Sequence, residues 1–78
     1  TVVCVGVSTN NCVAMTAMEA SDLQYNVVIV SDATGTDSEE MQNSSLVMLG
    51  RLWSKILTTE EVIQAVDSYS PETPELKP

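Results

Sequence analysis

The hydrophobic pattern alternates between short continuous runs and runs with helical spacing. Residues 1–6 and 26–31 are continuous apolar stretches rich in β-branched side chains, which is typical of strands buried on both faces of a parallel sheet. Residues 11–23 and 38–53 carry apolar side chains three and four positions apart, which predicts two helices. A short third strand is predicted at residues 55–57, and a last short helix follows it.

Polar side chains mark where these helices begin. Residues 8–11 (STNN) are of the types that cap helix N-termini, and they precede the first predicted helix. Asp37 with Glu40 forms a capping-box pattern before the second helix, and Thr58 with Glu61 forms one before the third. We expect the second helix to bury Met41, Ser45, Met48, Leu49 and Leu52.

The order βαβαβα predicts an α/β fold with an open, mostly parallel, three-layer Rossmann-like sheet. Parallel strands this apolar need helices over both faces and neighbours at both edges. Three strands would leave the edge of the first strand exposed, so we expect further strands from an upstream segment of the same polypeptide or from another chain. Residues 1–67 form the predicted domain portion, and residues 68–78, with three prolines, form an extended or flexible tail.

Composition and charge narrow the possible functions. The chain has 78 residues with a net charge of −8 and a pI near 4.1, so phosphate-backbone binding and attraction to a membrane surface are not expected. No apolar run approaches the roughly 18 residues of a membrane span. With no histidine and two cysteines, a metal site built from this chain alone is not expected. We interpret the cysteines as reduced and the protein as cytoplasmic.

Cys12 is the candidate catalytic residue. It follows the first strand after a short turn and lies in the first turn of the predicted helix. In open α/β sheets, reactive groups gather beyond the carboxyl ends of the strands, and a helix start favours a thiolate. The alternative is a small residue buried under the helix start. Cys4 lies in mid-strand between valines, and we expect it only to pack in the core.

Three segments resemble the C-terminal half of the isochorismatase-like cysteine hydrolases. They are residues 6–13 (GVSTNNCV) with the small residues that follow, residues 25–33 (YNVVIVSDA) and residues 57–62 (LTTEEV). The match extends over about residues 2–66. This pattern is specific for the superfamily and says little about the substrate.

The resemblance implies a three-layer α/β fold and a cysteine–lysine–aspartate triad that acts on amides or related carbonyl compounds. The cysteine corresponds to Cys12, the backbone N–H groups of Ser8 and Cys12 would form the oxyanion hole, and a non-proline cis peptide bond would join Val7 to Ser8. The aspartate and the lysine should lie upstream of Thr1. Lys55 cannot replace that lysine, because it stands at the start of a strand and therefore at the opposite edge of the sheet from Cys12.

Two further residues are candidates near the site. Asp32 ends the second strand, where it either caps the following loop or contacts substrate, and in the family this position is structural. Asn11, beside the cysteine, is the local candidate for substrate binding, although asparagine at a helix start more often acts as a cap.

The sequence therefore predicts a cysteine hydrolase that cleaves a C–N (amide-type) bond of a small molecule, with an active site that is incomplete in this chain. We expect a homo-oligomer and no cofactor in this chain, and the sequence neither supports nor denies an upstream metal site. Because no general base lies within these 78 residues, one alternative is a non-catalytic relative that binds a small molecule or serves in an assembly. Another is an isochorismatase-type vinyl ether hydrolase that does not use the cysteine.

Overall fold

A computed structural model describes residues 1–69. Its elements, in chain order, are β1 (Val2–Val7), a π-helical turn (Thr9–Val13), α1 (Ala14–Asp22), β2 (Val27–Gly35), α2 (Glu39–Leu52), β3 (Lys55–Leu57) and α3 (Thr59–Asp67). The predicted alternation of strands and helices is confirmed. The expected tail lies outside the described residues from residue 70 onward. Within residues 1–69, no helix has the length and apolar character needed to span a bilayer.

The strands form one parallel sheet in the order β1-β2-β3, so the predicted α/β fold class is confirmed. β1 lies at one edge of the sheet that residues 1–69 form. Its alternate residues Val3, Val5 and Val7 are 45%, 59% and 74% exposed. The prediction that the first strand keeps an uncovered edge and an exposed apolar face therefore holds for the described residues.

The second strand is longer than the predicted range 26–31. Cys4 lies opposite Ile29 whereas Gly6 lies opposite Thr34, so a single residue of β1 is matched by four residues of β2. This irregularity lets pairing resume beyond the polar residues at positions 31 and 32. Thr34 and Gly35, which lie beyond the predicted strand, belong to β2, because both pair with the end of β1.

The first strand extends one residue beyond the predicted range 1–6. Gly6 has a φ of +107°, a conformation that residues with a Cβ rarely adopt, and β1 ends one residue later at Val7. The helix after β1 begins earlier than residue 11, with the π-helical turn. It ends near Gln24, which has a positive φ of 70°, a common conformation just after a helix.

One buried cluster holds the sheet against α1 and α2. Its buried members come from β1, the π-helical turn, α1, β2 and α2: Cys4, Val13, Ala14, Ala17, Ala20, Val27, Ile29 and Leu49. Small alanines on α1 let this helix approach the sheet closely. Val28 and Val30, which alternate with the cluster residues of β2, are also buried, and α3 contacts this strand.

The buried stripe of α2 differs from the predicted one. Ser45 and Leu49 are buried as expected, but Met41, Met48 and Leu52 are 42%, 42% and 67% exposed. The helix is rotated so that its inward stripe runs through positions 42, 45, 46, 49 and 53. Hydrophobicity alone allowed two overlapping stripes, and packing against the π-helical turn and β3 selected one of them.

The N-cap residue was predicted correctly for α3, and the predicted N-cap of α2 was one residue too early. The Thr58–Glu61 capping box is present with both reciprocal hydrogen bonds. At α2 the cap is Ser38, whose side chain accepts a hydrogen bond from the Met41 N–H at 3.1 Å, and the predicted Asp37–Glu40 box does not form.

Candidate active site

Cys12 lies on the π-helical turn just beyond the carboxyl end of β1. Its side chain is exposed and its thiol is free, whereas Cys4 is buried in β1 and is also a free thiol. Within residues 1–69, Cys12 is therefore not buried under the helix start. An exposed cysteine at a helix start meets the steric requirement for a nucleophile, which is access to a reacting carbon.

Backbone hydrogen bonds hold the turn around Cys12. The Ser8 carbonyl oxygen accepts hydrogen bonds from the N–H groups of Asn11 and Val13, both at 3.1 Å. The peptide bond between Val7 and Ser8 is cis. Cys12 thus lies between two residues whose N–H groups are fixed to one oxygen, so its backbone position is set by the conformation of residues 8–13.

A polar network that the sequence did not predict anchors the beginning of this turn. Thr9 is fully buried, and its hydroxyl group donates a hydrogen bond to the side-chain carbonyl of Gln42 on α2. The Gln42 amide nitrogen donates to the carbonyl oxygen of Thr34 at 3.1 Å and to its hydroxyl oxygen at 3.2 Å. One sequence signal pointed to this contact: Gln42 stands seven positions before the buried Leu49, and therefore on the same helix face.

The two asparagines of the turn have different surroundings. The Asn10 side-chain oxygen accepts a hydrogen bond of 2.8 Å from the Thr36 hydroxyl, which ties the turn to the segment after β2. Asn11, the predicted substrate-binding candidate, is exposed on the turn beside Cys12. Its side chain is therefore the polar group next to the cysteine that solvent can reach.

Asp32 is bound to α3 and does not cap the loop that follows β2. Its carboxylate accepts hydrogen bonds from the Thr59 hydroxyl at 2.7 Å and from the Thr59 N–H at 2.8 Å. These two hydrogen bonds, the side-chain one foremost, lower the pKa of the Asp32 carboxyl group. The residue fixes the start of α3, which agrees with a structural position.

Lys55 lies far along the sheet from the cysteine. It pairs with Val28 in the sheet register, and Val28 in turn pairs with Val3 near the start of β1. Cys12 follows the opposite end of β1. The structure therefore does not bring a lysine to the cysteine within residues 1–69.

An open groove of about 290 Å³ runs along the edge of β1 and reaches Cys12. Most of its lining comes from β1. The π-helical turn contributes Cys12 and Val13, and α1 contributes Thr16. The groove lies beside the free edge of β1, where a further strand could pair.

The fold and the turn define a class of protein: a parallel α/β sheet that presents an exposed cysteine on the first helical turn after a strand. A model of the isochorismatase domain family matches residues 1–61. The chain belongs to the isochorismatase family.

Two relatives support this assignment. The chain is 35% identical over 66 residues to the uncharacterized isochorismatase family protein YecD of Escherichia coli O157:H7, a match that covers 85% of this chain and 35% of that protein. The crystal structure of an isochorismatase-like hydrolase from Alkaliphilus metalliredigens has a TM-score of 0.77 and 39% identity, covering 82% of this chain and 35% of that chain. The chain thus spans about a third of the length of these relatives.

Proposed function

We propose that this chain carries the nucleophile of a cysteine hydrolase that cleaves a C–N (amide-type) bond of a small molecule. The observation that carries the proposal is the exposed Cys12 thiol on the helical turn after an edge strand of a parallel sheet. Membership of the isochorismatase family supports hydrolytic chemistry at this position.

In the proposed reaction, the Cys12 thiolate attacks the carbonyl carbon of the substrate, and the carbonyl oxygen becomes an oxyanion. The backbone N–H groups of Ser8 and Cys12 donate hydrogen bonds to this oxyanion. The C–N bond then breaks, the amine leaves with a proton from an aspartic acid, and a thioester to Cys12 remains. Water hydrolyses the thioester, and its proton returns to the aspartate.

The aspartate and a lysine are supplied, in this proposal, by an upstream segment or by another chain. Two features of the described residues favour this: the free edge of β1, and the groove along it that ends at Cys12. A parallel strand paired with β1 would place its own carboxyl end beside the turn, where an acid and a cation could contact the substrate. A helix of the same segment, packed on that face of the sheet, would cover the exposed valines of β1.

The remaining parts of the proposal concern partners and location. We propose a small-molecule substrate contacted by Asn11 and no nucleic-acid or membrane partner, in keeping with the net charge of −8. The exposed apolar side chains Val47, Met48 and Leu52 on α2 favour a homo-oligomer. A cytoplasmic location agrees with the requirement for a reduced thiol at Cys12.

Replacing the nucleophile tests the proposal directly. In the complete protein, Cys12→Ala should lower amide hydrolysis by at least about a thousandfold, because no thioester can form. The melting temperature should change little, since the side chain is exposed. Cys4→Ala is the matched control: it removes the other thiol and should keep turnover while lowering the melting temperature. Ammonia or amine release, measured over a panel of small amides, reports activity.

The alternatives make distinct predictions in the same assay. Hydrolysis of a vinyl ether that survives Cys12→Ala would overturn the cysteine mechanism and favour isochorismatase-type chemistry. Binding of a small molecule, detected by calorimetry, without turnover by the unaltered protein would favour a non-catalytic relative. Amide hydrolysis retained in Cys12→Ala would also contradict the proposal.

A further inference from the structure

The side chain of Gln42 joins three segments that are distant in sequence. It belongs to α2, it accepts a hydrogen bond from Thr9 at the start of the π-helical turn, and it donates to Thr34 near the end of β2. Gln42 is half-buried and Thr9 is fully buried. A polar bridge of this kind lies beneath the turn that carries Cys12, and the proposed reaction does not use it.

The direction of each hydrogen bond follows from the groups involved. The Thr34 carbonyl oxygen can only accept, so the Gln42 amide nitrogen must face it. The Gln42 amide oxygen therefore faces Thr9, whose hydroxyl group donates. The Thr34 hydroxyl donates in turn to the Val30 carbonyl oxygen at 3.1 Å. A glutamine satisfies both ends of this chain, and an apolar side chain of the same length satisfies neither.

The bridge reaches Cys12 through the backbone of the turn. Thr9 is the first residue of the π-helical turn, and Cys12 follows three residues later. The Ser8 carbonyl oxygen accepts hydrogen bonds from the N–H groups of the residues on either side of Cys12, so residues 8–13 form one hydrogen-bonded unit. Without Gln42, the buried Thr9 hydroxyl would lose its partner, and the turn could satisfy it only by shifting toward water.

We propose that Gln42 is a positioning residue that holds the nucleophile turn at the distance and orientation required for attack. The inference rests on the proposed function of Cys12 and adds a residue from a different element to the site. Its effect is on the geometry of the reacting thiol and of the oxyanion N–H groups. Substitutions at Gln42 should therefore lower the rate of the chemical step more than they weaken substrate binding.

The test uses Gln42→Met in the complete protein, which keeps the length of the side chain and removes its hydrogen bonds to Thr9 and Thr34. We expect kcat to fall by about 10- to 100-fold while KM changes by less than about threefold. The rate at which iodoacetamide alkylates Cys12, measured well below the unfolding temperature, should also differ between Gln42→Met and the unaltered protein. The matched control is Gln64→Met, the same replacement at an exposed position of α3.

Variants of Thr9 provide a second line of testing. Thr9→Val removes the hydroxyl group without changing side-chain shape and should reproduce the Gln42→Met effect. Thr9→Ser keeps the hydroxyl group and should retain most of the activity. The double variant of Thr9→Val and Gln42→Met should be no slower than the worse single variant, since each substitution already removes the hydrogen bond between Thr9 and Gln42.

The outcomes separate this inference from the proposed function. If Cys12→Ala abolishes turnover and Gln42→Met keeps kcat within about twofold, the positioning role is wrong and the cysteine mechanism stands. If kcat falls only in proportion to the folded fraction, Gln42 is merely structural and the inference is also wrong. If Cys12→Ala retains turnover, the alkylation rate decides: a change in Gln42→Met but not in Gln64→Met supports positioning, and equal rates overturn it.

Discussion

The two cysteines show how surroundings separate one residue type into two roles. Cys4 is buried in β1 against α1, and this burial raises the pKa of its thiol. Because the thiolate is the reactive form, a raised pKa and a lack of access both slow its reactions. Cys12 is exposed on the π-helical turn. The chemical difference between them is a matter of position in the fold.

Thiol labelling should reveal this difference. In the native protein at neutral pH, we expect iodoacetamide to alkylate Cys12 at least about tenfold faster than Cys4. Peptide mapping by mass spectrometry measures both rates, and labelling in denaturant provides the control in which both react. Equal native rates would mean that β1 opens readily or that Cys12 is covered.

At the scale of elements, a hydrogen-bonded carboxylate links two elements that are not neighbours in sequence. Asp32 at the irregular part of β2 accepts both the hydroxyl and the backbone N–H of Thr59, the first residue of α3. A carboxylate at a helix N-terminus also interacts favourably with the helix dipole. α3 is thus capped twice, once by its own Thr58 and once from the sheet.

This link predicts a specific loss of stability in acid. The folded-state pKa of Asp32 is lowered below its ordinary value, so its contribution to stability is present above that ordinary value, near pH 4, and is lost as the pH falls through the lower folded-state value. Asp32→Asn should lower the melting temperature at pH 7 and flatten its dependence on pH below about 4. Thermal unfolding followed by circular dichroism from pH 2.5 to 7 measures both effects.

The control for this prediction is Asp22→Asn, at an exposed position at the end of α1. It removes a carboxylate without removing a hydrogen bond to another element. An acid dependence that is the same in Asp32→Asn as in the unaltered protein would show that the contact with Thr59 does not stabilise α3.

At the scale of the whole molecule, β1 is the element with a free edge where a further strand could pair. β1 pairs with β2 along one edge, and its valines on one face are about half to three-quarters exposed. An apolar edge strand with one unpaired side is unfavourable in water and prone to pair with other chains. The proposed upstream strand would cover this edge and complete the site at Cys12 together.

Hydrogen exchange tests this arrangement. In the complete protein, the amides of β1 should exchange at least about a hundredfold more slowly than in the 78-residue chain alone, since pairing and burial protect backbone N–H groups. The amides of residues 27–30, the buried part of β2, serve as the internal reference. Rapid exchange of β1 in the complete protein would contradict the proposal that another strand covers it.

Local patterns determined the class of the fold and the position of the nucleophile turn. Continuous β-branched runs predicted β1 and β2, because strands buried on both faces need apolar side chains at every position. The Thr58–Glu61 box predicted the start of α3, because a capping box involves only residues within one turn. Cys12 was placed at a helix start for the same reason: its neighbours in sequence are its neighbours in the turn.

Tertiary structure decided what depends on contacts between distant residues. The buried face of α2 follows from its packing partners, so the sequence pattern misassigned Met41, Met48 and Leu52. The bridge from Thr9 to Gln42 spans 33 positions: helical spacing places Gln42 on the inward face of α2, but it does not identify Thr9 as the partner. The length of β2 likewise depends on pairing that resumes at Gly6. Sequence determined the elements because their causes are local, and packing decided their orientation and the support beneath the cysteine.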